Sequence, residues 1–223
     1  MPALLIADDH PLFRAALTQA ARLAAPEHRI LEAETLDQAV AALECGEEVE
    51  LVLLDLHMPG NHGLSGLAAL RAQFPDVAVA VCSGHDEARI VRRALAHGAS
   101  GFIPKRSGMD DIRRAITALL GCETWLPEDL KQTLARTAED PKDSALAKRL
   151  SSLTAQQFRV LDLLAQGLLN KQIADRIGVQ ERTVKAHVTA IFEKLNVRNR
   201  TQASLVLREL ALSEPALESP MGN

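Results

Sequence analysis

The chain holds 223 residues, of which 47% are hydrophobic and 3% aromatic, and its net charge is −4. At about 100–200 residues per domain, that length predicts one or two domains, and the apolar content excludes wholesale disorder. The charge is segregated, with 11 Lys and Arg against 17 Asp and Glu in residues 1–124 but 11 against 5 in residues 148–212, so only the back of the chain is expected to meet a polyanion.

Short apolar runs at Leu4–Ala7, Ile30–Ala33, Leu51–Leu54, Val77–Cys82 and Gly101–Ile103 read as buried strands, because none alternates with polar residues. The spacing predicts helices over 11–24, 36–44, 64–73, 86–97 and 108–120. Five β-α repeats predict a doubly wound parallel sheet, whose right-handed crossovers restrict the topology. Residues 123–149 break this rhythm with Pro127 and Pro141 and read as a linker, with a loose helix over 128–138. From Leu153 onward the pattern is all helical. Thr154 is an N-cap with Gln157 three residues later, as in a capping box, and Gly167 ends that helix. Further helices follow over 170–177, stopping at Gly178, then 181–195 and 200–211. The expected organisation is a domain over 1–122, a partly helical linker over 123–149, a helical domain over 150–212 and a flexible tail over 213–223.

No apolar run approaches the about 20 residues that a helix needs to cross hydrocarbon. Asp8 and Asp9 interrupt the N-terminus before a secretory leader builds up. Cys45, Cys82 and Cys122 lack the spacing of a disulfide framework or zinc ribbon. A reducing cytoplasm and no membrane contact are therefore expected.

In an open α/β sheet, function sits beyond the carboxyl ends of the strands. Asp8 and Asp9 end the first strand, Asp55 the third and Ser83 the fourth, while Lys105 lies two residues past the fifth. Three carboxylates gathered together repel one another unless a cation intervenes, and Mg²⁺ takes one or two carboxylates, waters and phosphate oxygens. One carboxylate can then act as a nucleophile toward a phosphoryl group, with the charge neutralised by Mg²⁺ and the Lys105 ammonium. A lone Asp at a strand end is usually a cap or turn residue, and a lone Lys a solvated one. Their conjunction along one sheet edge points to phosphoryl chemistry.

The segments Leu5-Ile6-Ala7-Asp8-Asp9-His10-Pro11, Leu53-Leu54-Asp55-Leu56-His57-Met58-Pro59-Gly60 and Gly98-Ala99-Ser100-Gly101-Phe102-Ile103-Pro104-Lys105 resemble a response-regulator receiver domain. The resemblance implies a flavodoxin-like sheet with Asp55 as phosphoacceptor. It also implies Mg²⁺ held by Asp8, Asp9, Asp55 and the main-chain carbonyl of His57, with Lys105 pairing with the phosphoryl group. Ser83 would move to bond the new phosphate, and Phe102 would swing inward behind it. Taken alone, Phe102 reads as a core side chain. His57 and His85 follow Asp55 and Ser83 by two residues. They read either as inconsequential loop residues or as groups that make phosphoryl loss pH-sensitive between about pH 6 and 7, where imidazole titrates.

In the helix over 181–195, Val184, Val188, Ile191 and Leu195 form one apolar stripe. The opposite side presents Arg182, Lys185, Ala186, Thr189 and Glu193. Together with the helix before it and the Gly178-Val179-Gln180 turn, this reads as a helix-turn-helix, whose second helix enters the DNA major groove. Lys185 is suited to guanine O6 and N7 and Ala186 to a thymine methyl, whereas Lys171, Thr183 and Arg200 suit phosphates. The bland reading is a basic, solvated helix in a small bundle. Asn170-Lys171-Gln172-Ile173-Ala174, Thr183-Val184-Lys185-Ala186-His187-Val188 and Arg198-Asn199-Arg200-Thr201-Gln202-Ala203 resemble the LuxR/NarL-type DNA-binding domain. Dimers formed through the last helix are implied. Gln157 stands where many members carry Glu, and Leu169 where Ser or Thr is frequent.

The expectation is a DNA-binding transcriptional response regulator. A partner histidine kinase phosphorylates Asp55, and phosphorylation controls homodimerisation and binding to promoter DNA, where RNA polymerase is a further partner. The chain is not expected to be an enzyme beyond catalysing its own phosphoryl transfer and loss. One rival keeps DNA binding but makes the first domain a phosphorylation-independent interaction module. Another is an aspartyl-nucleophile phosphatase, which would want a second acid where His57 stands.

Overall fold

A computed structural model describes residues 1–61, 63–136 and 141–210. Strands β1 (Ala3–Ala7), β2 (Arg29–Ala33), β3 (Val49–Asp55), β4 (Ala78–Ser83) and β5 (Gly101–Pro104) form one parallel sheet in the order β2-β1-β3-β4-β5. The apolar runs occupy the centre because both of their faces are covered, as parallel strands require. Side chains alternate between the faces. Leu4, Ile6, Leu51 and Leu53 pack with α1 (Pro11–Ala24) and α5 (Met109–Leu120). Leu5, Ala7, Val52 and Leu54 face α2 (Leu36–Glu44), α3 (Ser65–Gln73) and α4 (Ala88–Ala96).

The segment between the domains departs from the linker expectation. It holds α6 (Glu128–Arg136) and also α7 (Pro141–Ser151), whose Leu146, Ala147 and Leu150 are buried. Pro141 suggested a break, but it sits at the first helical position, where its missing N–H costs nothing and its fixed φ favours the helix. Trp125 also pairs with the edge of β5: its N–H donates to the Ser100 carbonyl, and its carbonyl accepts from the Phe102 N–H at 3.0 Å.

Helices α8 (Ala155–Ala165), α9 (Asn170–Ile177), α10 (Glu181–Leu195) and α11 (Arg200–Leu210) follow. The capping box is present, with the Gln157 N–H donating to Thr154 Oγ1 and the Thr154 N–H to Gln157 Oε1. Gly178 ends α9 in the left-handed conformation, φ 70°, which glycine adopts at little cost and which turns the chain sharply into α10. The apolar cluster on the α3–α4 side of the sheet runs on through Leu146, Leu150, Phe158 and Leu161 to Leu207 and Leu210, so the helical domain packs on that side.

Candidate functional site

The carboxyl edge of the sheet gathers the acids. Asp8 and Asp55 are almost wholly buried, and ligand atoms of Asp8, Asp9, His10 and Asp55 lie within 4.8 Å of one another. Strands β1 and β3 are direct neighbours, which is why positions separated by more than 40 residues in the chain share one pocket. Lys105 closes it from the loop after β5, its Nζ 2.8 Å from Asp55 Oδ2 and 2.8 Å from Asp8 Oδ2. Burial opposes the Lys105 charge, but the hydrogen bonds to Asp55 and Asp8 outweigh it and hold the ammonium above its ordinary pKa.

One ammonium does not balance three carboxylates gathered within this pocket. An all-oxygen set of this kind suits a hard divalent cation. Asp55 Oδ1 accepts the His57 N–H at 3.2 Å, and the Ser83 hydroxyl accepts the His85 N–H at 3.1 Å. The His57 and His85 rings meet at 5.0 Å, tilted by 50°. Burial, reinforced by Asp8 and Asp55, pushes the Cys82 thiol up, so it stays a neutral core group below the pocket. Phe102 is fully buried. The ring packs in the apolar cluster on the α3–α4 side of the sheet, as the reading of Phe102 as a core side chain expects.

Three participants escaped the sequence reading. His10 places Nδ1 2.8 Å from Asp9 Oδ1 and 3.2 Å from Lys105 Nζ; its adjacency to the acidic pair was the available signal. Asn61, also buried, donates Nδ2–H to the Asp55 carbonyl at 2.8 Å. Arg93 of α4 is buried between domains, where it pairs with Asp143 of α7 at 3.3 Å and donates to the Glu209 carbonyl of α11. Nothing in the local pattern of either residue marks it.

In the helical domain, Val184, Ile191 and Leu195 are buried, while Arg182, Lys185, Ala186 and Thr189 of α10 are exposed, as is Lys171 of α9. Thr183 is half-buried. Lys185 pairs with Glu181 one turn earlier at 2.9 Å. Arg200 stands apart from this surface: its Nη2 donates to the Leu164 and Leu168 carbonyls at 2.9 and 2.6 Å. Those carbonyls lie at and beyond the end of α8, where intrahelical donors run out, and serving them weighs against Arg200 as a phosphate contact. Lys194 donates to Gln157 Oε1 at 2.7 Å, a charge-to-neutral hydrogen bond where a carboxylate would make an ion pair. Leu169 precedes α9 with no capping bond from its own side chain, and its N–H donates to Gln172 Oε1 at 2.8 Å.

Comparisons with known proteins agree with this two-part arrangement. The family model for the response regulator receiver domain matches residues 4–117, and that for bacterial regulatory proteins of the luxR family matches residues 151–207. The glycerol metabolism activator of Pseudomonas putida is 40% identical over 205 residues, covering 91% of this chain and 93% of the relative. The nitrate/nitrite response regulator NarL of Escherichia coli K12 is 32% identical over 202 residues, with 91% and 93% covered. Among solved structures, two RcsB dimers bound to two parallel DNAs share the fold, with a TM-score of 0.57 at 21% identity, covering 95% of this chain and 99% of that one. Among the described residues, no helix is long and apolar enough to cross a membrane. The chain belongs to the response regulators that join a receiver domain to a LuxR-type DNA-binding domain.

Proposed function

We propose that this protein receives a phosphoryl group on Asp55 from a partner histidine kinase and, in response, binds promoter DNA as a homodimer. The observation that carries the reading is the buried Asp55 carboxylate held 2.8 Å from Lys105 Nζ, with Asp8 and Asp9 beside it. Asp8, Asp9, Asp55 and the His57 carbonyl would hold Mg²⁺, which when bound supplies charge neutralisation for the carboxylates and the phosphoryl oxygens.

An Asp55 oxygen attacks the phosphorus of the kinase phosphohistidine. A P–O bond forms, the P–N bond breaks, and its electron pair returns to the imidazole nitrogen. Lys105 steadies the charge that develops on the transferred group. Ser83 Oγ, within the same edge, becomes a donor to that group by turning its hydroxyl away from the protein. On the output side, Lys185 and Ala186 read base edges, while Arg182, Thr183, Thr189 and Lys171 fix the helix on the backbone. The relatives' regulatory names and the DNA-bound RcsB structures support this assignment.

The test is acetyl-phosphate labelling of the wild type and Asp55→Asn in Mg²⁺, with DNA binding measured in parallel. One phosphoryl group on the wild type, none on Asp55→Asn and DNA binding that rises only in the former are expected. DNA binding that ignores both the phosphodonor and the substitution would replace this reading with the phosphorylation-independent module.

A further inference from the structure

The end of α11 is seated on the receiver. The Leu64 N–H donates to the Leu210 carbonyl at 2.9 Å, and Arg93 donates to the Glu209 carbonyl. Leu64 and Leu210 are fully buried and belong to the one apolar cluster that runs through both domains. Leu64 opens α3, and two residues on, the Gly66 N–H donates to Asn61 Oδ1 at 2.8 Å. The other end of the same amide donates to the Asp55 carbonyl at 2.8 Å. One buried side chain thus ties the main chain of the phosphoacceptor directly to the helix terminus that seats α11.

The fit is close. A Cβ on Gly66 would lie 2.5 Å from Asn61 Oδ1 and 2.7 Å from its Cγ, so glycine is required there for the amide to sit between strand and helix. Both polar ends of the amide are satisfied in this one orientation, as a buried amide requires. One peptide further on, the His57 N–H is bonded to the Asp55 carboxylate at 3.2 Å. A new group on that carboxylate disturbs this bond and with it the turn that follows β3, in which the adjoining Asp55–Leu56 peptide carries the carbonyl that Asn61 holds.

We infer that Asn61 is the positioning residue that carries the state of Asp55 to the DNA-binding domain, through Gly66 and Leu64 to the end of α11. The inference rests on Asp55 being the phosphoacceptor, as proposed above. Asn61 touches no phosphoryl group in this scheme; it holds the α3 terminus in the register that seats α11. A contiguous path gains physical content only when both ends bias one two-state element, and that element here is the seated or released α11.

The experiment uses the full-length protein with Mg²⁺, with and without beryllofluoride. Amide hydrogen exchange is followed across residues 56–66, and affinity is measured for a duplex recovered from a random-sequence pool by the beryllofluoride-loaded protein. In the wild type, beryllofluoride is expected to raise exchange at Leu64 and Gly66 and to raise DNA affinity. In Asn61→Ala those amides exchange at least tenfold faster without the ligand, and its stimulation of DNA binding falls to within twofold, although acetyl phosphate still labels Asp55. Gly66→Ala, which displaces the amide without removing it, repeats this phenotype, and adding it to Asn61→Ala changes nothing further. Wild-type protection and stimulation in Asn61→Ala would overturn the inference. Should either variant fail to fold, unchanged exchange at Leu64 and Gly66 in the beryllofluoride-loaded wild type overturns it equally. A wild type that takes no label on Asp55 fails at the phosphoacceptor itself, a distinct result that removes the foundation of the inference.

Discussion

Lowering the pH should loosen the contact between the domains through His97. This residue caps the C-terminus of α4 and is buried against α7, in a cleft it lines with Ala147, Leu150 and Ser151. Its Nε2 has no hydrogen-bond partner among the described residues. Burial, aided by Arg93 on the same helix and opposed by Asp143 on α7, lowers its pKa from 6.5 to about 4. Arg71 of α3 lines the same cleft and adds a second positive charge. Opened or unfolded chain therefore takes up a proton between about pH 6.5 and pH 4 that the closed protein refuses. Stability from this group is complete above pH 6.5 and declines as pH falls through that window. At 1.36 kcal/mol per pKa unit the ceiling is about 3 kcal/mol, of which about 2 kcal/mol is lost between pH 7 and pH 5. Other groups titrate over the same range, so the informative quantity is the difference from His97→Gln, whose side chain carries no titrating proton. Urea denaturation at both pH values should show the wild type losing about 2 kcal/mol more than the variant, roughly a thirtyfold change in the folding equilibrium. Equal losses, within about 0.5 kcal/mol, would refute the claim that the closed interface excludes the protonated imidazole.

Three other outcomes follow from the helical domain. Lys185→Ala should relax sequence preference by about 1–3 kcal/mol at one base pair, while Lys171→Ala should lower affinity evenly across sequences and reduce the salt slope by about one; competition binding at several salt concentrations separates them, and an even loss for both would mean α10 is misread. Gln157→Glu keeps the bond to the Thr154 N–H and turns the contact with Lys194 into an ion pair, so a stability gain of up to about 1 kcal/mol that shrinks in salt is expected, and a loss would mean that desolvation of the carboxylate dominates. Gly178→Ala places a Cβ at φ 70°, where open space around it leaves only backbone strain; a loss of about 1 kcal/mol in thermal unfolding is expected, and none would indicate that the turn relaxes.

Much of the candidate site was legible because it lies at strand ends. Asp8, Asp55 and Ser83 each terminate an apolar run, and a parallel sheet delivers such ends to one edge whatever the loops do. The stripe of Val184, Ile191 and Leu195 was legible for a similar reason, since helical periodicity places side chains on known faces. Asn61, Arg93 and His97 were not legible. Each depends on a carbonyl or side chain from an element distant in the chain, and their neighbours in sequence carry no periodic signal. Arg200 shows the converse: it reads as a surface cation, but two carbonyls at and just past the α8 terminus capture it. Helix α7 was missed because a proline that starts a helix and one that ends a helix look alike until the chain that follows packs.

The order of apolar runs and helical stripes by itself determined the two architectures, the acidic edge and the exposed face of α10, because these depend on local periodicity and on strand direction. Only tertiary packing decided that the helical domain lies on the α3–α4 side, that α11 ends on Leu64 and Arg93, and that Asn61 stands between that seat and Asp55. Those contacts join residues far apart in the chain through main-chain donors and acceptors, and such groups are nearly the same in every residue, so no pattern of side chains announces where they will meet.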